Sequence, residues 1–137
     1  MGKITLEDLK KNEEISTLFE TADKQLAAMG YTEHSFRHVT LVANAAGNIL
    51  KTLGYDEREV ELAKMAGYLH DIGNAVNRVD HAHYGAILAY QILTRMGMEI
   101  KEAAEIMLAI GHHDEGSGGA VSPISAAVIL ADKSDVH

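Results

Sequence analysis

Apolar residues recur along this chain at helical spacing, in blocks separated by short polar or glycine-containing stretches. Ile15, Leu18, Phe19, Ala22, Leu26 and Met29 form the first stripe, which runs from a Thr5 cap to a stop at Gly30. Phe36, Val39, Val42, Ala43, Ala46, Ile49, Leu50 and Leu53 form the second, between Thr32 and Gly54. Asp56 caps a third helix through Val60, Ala63, Ala66 and Gly67 to His70, and its small residues allow a close helix neighbour. A polar loop from Asn74 to Asp80 precedes a helix from His81 to Gly97, then one from Glu99 to His113. Ser122-Pro123, a cap followed by a proline at the first helical position, opens the last, from Ile124 to about Val136.

No stretch carries the two-residue period of a strand. The predicted fold is therefore all-α, a single-domain bundle of about six helices spanning 1–137, with 1–30 as an N-terminal scaffold helix. The last helix is still running where the sequence stops, which leaves room for a natural chain continuing beyond His137.

Composition narrows the class. Hydrophobic residues make up 47% and charged residues 23%, ordinary for a globular domain. No apolar run approaches the roughly 20 residues of a membrane span, and the charged start is no secretory signal. A cytoplasmic protein without a membrane partner is expected. The net charge of −8 argues against general nucleic-acid binding, which needs a basic face. It does not argue against a phosphorylated small molecule, because bound metal supplies positive charge that the count omits.

The histidines change the picture most. Seven of the eight, all but His137, fall in four groups near predicted helix ends: His34 and His38, His70, His81 and His83, and His112 and His113. With no cysteine, a metal here must be held by nitrogen and oxygen, which admits Fe, Mn, Zn, Mg and Ni. The set His34, His70, Asp71, His81, His112, His113 and Asp132 is too long for one ion and suits two, with Asp71 placed to bridge them. Two ions about 3.5–4 Å apart can share a hydroxide and clamp a phosphoryl group. His38 is read as a core or lining histidine. His112 and His113 point about 100° apart on a regular helix, so one of them has the alternative of a supporting role. Arg37, three residues from His34, is the best placed of the cations Arg37, Arg78 and Lys133 to hold phosphate.

The order His…His-Asp…His…His-His…Asp resembles the HD superfamily of metal-dependent phosphohydrolases, over His34 to Asp132. Local contexts agree: His34-Ser35-Phe36-Arg37, His70-Asp71-Ile72-Gly73 and Ala131-Asp132-Lys133. His81-Ala82-His83-Tyr84-Gly85-Ala86 is similar to the His-x-x-x-Gly-Ala pattern of the HD-GYP branch and favours His81 over His83. The naming Gly-Tyr-Pro is absent, since Gly118 precedes Gly119-Ala120, and Asn74 stands where that branch usually has lysine. The resemblance thus implies the metal centre and not the cyclic-di-GMP substrate. It implies one ion on His34, His70, Asp71 and Asp132, and another on Asp71, His81, His112 and His113. Asp71, His113 and Arg37 would serve catalysis, a metal-bridging hydroxide would attack phosphorus, and Fe or Mn would be the favoured ions. Two alternatives share the ligand set: an HD-type diiron oxygenase, and a metal- and nucleotide-binding sensor without turnover.

Overall fold

The computed structural model describes residues 3–30, 35–114 and 119–135. Among them are seven α-helices, one 3-10 turn and no strand. The helices are α1 (Leu6–Lys11), α2 (Glu13–Ala28), α3 (Ser35–Thr52), α4 (Glu57–Leu69), α5 (His81–Arg95), α6 (Ile100–Gly111) and α7 (Pro123–Ser134), with the 3-10 turn at Ile72–Ala75 between α4 and α5. The all-α expectation holds.

The helix signals read from the sequence act locally. Asp56 accepts the Glu59 amide at 2.8 Å, and Ser122 accepts that of Ser125 at 3.0 Å. Gly54 ends α3 with φ at +89°, a conformation that costs a side-chain-bearing residue about 1–2 kcal/mol. The N-terminal scaffold differs from the single helix expected. It breaks at Asn12, whose backbone is extended and whose side chain accepts the Ile15 amide at 2.9 Å. Asparagine competes with the helix through such bonds, so Asn12 closes α1 and caps α2.

Helix α4 lies at the centre, packed against α1, α3, α6 and α7. Met65 and Leu69 are fully buried in the same core cluster as Leu50, Ile106 and Ile110. Each such side chain contributes about 1.5–3 kcal/mol. Gly67 lets α3 approach: a Cβ there would sit 3.0 Å from the Val42 carbonyl oxygen and the Ala43 Cα. The other end of α4 is fastened by Arg58, which donates to both carboxylate oxygens of Glu102 on α6 at 2.9 and 2.7 Å and to the Ile4 carbonyl at 2.7 Å. Helices α5 and α6 pack as a pair, and the 3-10 turn is wedged between α2 and α5. Gln25 of α2 donates to the carbonyl of Ala75 in that turn. Among the described residues no helix is long and apolar enough to cross a membrane.

Candidate metal centre

The end of α4 sets the geometry. His70 is the last residue in helical conformation, and at Asp71 the backbone turns off, with φ −104° and ψ 8°. Leaving the helix there lets neighbours in sequence face the same space instead of diverging by about 100°. Helix α3 brings His38 to this point, the first turn of α5 brings His81, and the segment just past α6 brings His113. The last turn of α7 brings Asp132.

The two oxygens of Asp71 face two different histidine pairs. Oδ2 lies 3.3 Å from His70 Nε2 and 3.5 Å from His38 Nε2, whereas Oδ1 lies 3.1 Å from His81 Nε2 and 3.6 Å from His113 Nε2. Asp132 Oδ1 joins the first pair, 2.9 Å from His38 Nε2 and 3.5 Å from His70 Nε2. Within each pair the Nε2 atoms are close, 3.3 Å for His38 and His70 and 3.2 Å for His81 and His113.

The ring orientations are fixed from behind. His70 donates Nδ1–H to the Gly67 carbonyl at 2.7 Å, His81 to that of Arg78 at 3.1 Å, and His113 to that of Ile110 at 2.6 Å. A carbonyl only accepts, so each neutral ring must carry its proton on Nδ1 and turn the Nε2 lone pair inward. Two such lone pairs at 3.2–3.3 Å repel unless a cation lies between them. Nitrogens bound about 2.05 Å from one ion at tetrahedral angles lie about 3.3 Å apart, so the donor set fits a metal.

The electrostatics agree. Burial opposes the ionised form of Asp71, but His70, His113 and His81 outweigh it and hold the carboxyl well below its usual range. Burial likewise opposes a charged His70, yet Asp71 and Asp132 raise it well above the usual imidazole value. Asp132 is lowered in the same way, burial opposing and His38 and His70 prevailing. Hydrogen bonding to Asp132 raises His38 against its burial. This cluster holds positive charge strongly, and a divalent ion can take the place of the protons.

The cluster opens into a cleft of about 320 Å³, rimmed by Arg78, Lys133, Asp114 and Ile129. A family model of the HD domain matches residues 33–136. This chain belongs to the HD-domain superfamily of metal-dependent phosphohydrolases. The crystal structure of a predicted HD superfamily hydrolase from an uncultured Thermotogales bacterium superposes with a TM-score of 0.66 at 25% identity, covering 95% of this chain and 73% of that one. An uncharacterized protein of Methanocaldococcus jannaschii is 31% identical over an alignment of 157 positions that covers 98% of this chain and 60% of that protein. Ribonuclease Y of Lawsonia intracellularis is 38% identical over 108 residues, 77% of this chain and 18% of that protein. The chain thus spans less than two thirds of the length of these curated relatives.

HD domains bind divalent metals, and this one draws His38, His70, Asp71, His81, His113 and Asp132 together. His38 joins the cluster rather than serving only as a lining residue. Its signal was present: it lies four and eight residues before the buried Val42 and Ala46, on the inward face of α3. His34 lies outside the described residues. The structure separates His112 from His113. His112 caps α6 and donates to the Leu108 carbonyl at 3.0 Å, away from the grouped donors. His83 is 61% exposed beside Asp80. Arg37 has a different place from the phosphate-holding one expected. Its guanidinium spans both oxygens of Asp135 at 3.3 and 3.2 Å, while Arg78 and Lys133 reach the cleft. Asn74 is buried, and its Oδ1 has no partner among the described residues. Asp135, which also meets His38, carried no signal in the sequence.

Proposed function

We propose that this domain is a hydrolase of a phosphoester, acting at two divalent ions held by six side chains. His38, His70 and Asp132 with Asp71 Oδ2 would hold one ion, and His81 and His113 with Asp71 Oδ1 the other. The observation that carries this reading is Asp71, one oxygen turned to each histidine pair. When bound, such ions supply Lewis acidity and a water activated for attack on phosphorus.

The protein's own groups do the rest. The backbone carbonyls behind His70, His81 and His113 keep the ligand nitrogens aimed inward before any ion arrives. Arg78 and Lys133 place positive charge at the rim, where non-bridging phosphoryl oxygens would lie. Ile129 closes one wall with an apolar surface.

The ribonuclease Y relatives favour a nucleotide phosphodiester as the bond cleaved. The excess of 20 acidic over 12 basic residues favours a small phosphorylated substrate over a long nucleic acid gripped along its backbone. The test is a phosphomonoesterase and phosphodiesterase screen on protein purified without chelator, with metal content measured alongside. Two ions per chain and turnover abolished by chelation are expected. Substrate binding without product at full metal content would instead support a sensing module.

A further inference from the structure

Three of the four clustered histidines are backed by neutral backbone carbonyls, and the fourth is backed by a carboxylate. His38 Nδ1 lies 2.6 Å from Asp135 Oδ2, and that side chain is only 8% exposed. Asp135 is itself held, because Arg37, the neighbour of His38 on α3, spans both its oxygens at 3.3 and 3.2 Å. Asp135 stands at the C-terminal cap of α7, three residues beyond Asp132. One helix end therefore supplies an acid in front of His38 Nε2, at 2.9 Å, and another behind its Nδ1.

We propose that Asp135 is a positioning residue that makes the two ion sites unequal, with the site at His38, His70 and Asp132 the tighter. This rests on the two-ion reading. A carboxylate accepting from Nδ1–H forms a charge-assisted bond, fixes the ring's tautomer and makes Nε2 a stronger donor than a carbonyl partner does. The difference adds to one already present. Asp132 Oδ1 lies 2.9 and 3.5 Å from the Nε2 atoms of His38 and His70, so two carboxylates face that pair, whereas among the grouped donors His81 meets Asp71 alone and Asp132 groups on that side only with His113. Arg37 acts on the ion at one remove, by holding Asp135 in the orientation that His38 needs.

The test is a Zn²⁺ titration of metal-stripped protein against a chromophoric chelator, for wild type, Asp135→Ala, Asp135→Asn and His81→Ala. Wild type should take up two ions in two resolved steps. Asp135→Ala and Asp135→Asn should weaken the tighter step about 10–100-fold and leave the weaker one nearly unchanged. His81→Ala should remove the weaker step alone. A long-range ¹H–¹⁵N spectrum of the metal-free protein adds a readout that needs no ion. It should show His38 protonated on Nδ1 in wild type and no longer held in that single form in Asp135→Ala, with His70, His81 and His113 unmoved. An unchanged tighter step, an equal loss in both steps, or an unaltered His38 spectrum overturns the proposal. Uptake of fewer than two ions by wild type would instead overturn the two-ion reading. Asp135 would then be judged by its spectrum and by the affinity of the single ion.

Discussion

Gly73 and Gly85 lie back to back, so closely that a Cβ added to Gly73 would come 2.6 Å from the Gly85 nitrogen and closer still to the His81 carbonyl oxygen. This contact seats the 3-10 turn against the start of α5 and so sets the distance between Asp71 and His81. Gly73→Ala should push the two elements apart. The overpacking should cost about 1–3 kcal/mol in urea unfolding, and less metal should be retained per folded chain. Gly67→Ala, which crowds α3 against α4, should destabilise by a similar amount while leaving the Asp71–His81 spacing intact. A Gly73→Ala protein with full metal content would show that the spacing is set elsewhere.

Four of the six described histidines can be sorted by metal retention. His38→Ala and His113→Ala should each lose bound metal on dialysis, because their Nε2 atoms face Asp132 and Asp71. His83→Ala and His112→Ala should retain it, since His83 is exposed and His112 is turned to the Leu108 carbonyl. Elemental analysis of the four variants, normalised to folded protein, decides the matter. Loss of an ion from His112→Ala would mean that α6 ends differently once metal is bound.

The contrast between these residues shows what a sequence can carry. Caps and stops such as Asp56, Ser122-Pro123 and Gly54 are legible because the groups they satisfy are within a few residues. The family order of His70-Asp71, His81 and Asp132 was legible for the same reason, as short motifs at helix ends. The break at Asn12 was hidden because apolar spacing continues across it, with Leu9 and Ile15 both fully buried. His112 and His113 are separated by a helix boundary falling at Gly111, and a shift of one residue there reverses which ring points inward. Asp135 was not legible at all: its bond to His38 joins positions 97 residues apart, and only tertiary packing brings them together.

Away from the centre, the Arg58–Glu102 pair gives stability a specific acid limb. Hydrogen bonding and charge from Arg58 hold the Glu102 carboxyl below its ordinary value of 4.5 in the folded chain. The unfolded chain has lost that partner and binds the proton more readily. The pair's contribution is therefore complete above about pH 4.5 and is lost as pH falls through the lower folded value. Glu102→Gln should cost about 1.5–3 kcal/mol at neutral pH and flatten the decline below pH 4.5. Urea midpoints for wild type and variant, collected from pH 3 to 7, should converge at the acid end. Parallel curves across that range would mean that Arg58 gives Glu102 no differential stabilisation.

Metal removal should register as a loss of folding stability, because the converging donors exist only in the folded chain. The unfolded chain scatters His38, His70, His81 and His113 over more than half of its length, so an ion bound to the native cluster shifts the equilibrium toward the folded state. At an ion concentration 100 times its Kd, one site adds about 2.7 kcal/mol, enough to raise Tm by roughly 10 °C in a chain of this size. Chelation should reverse that rise, and Asp71→Ala should show little of it, having lost the carboxylate shared by both histidine pairs. The rise should shrink as pH falls toward 5, since protons and metal compete for the same Nε2 lone pairs. A wild-type Tm indifferent to both metal and chelator would mean that the inward-facing imidazoles are held by protons alone, and the hydrolytic reading would fall with the metal.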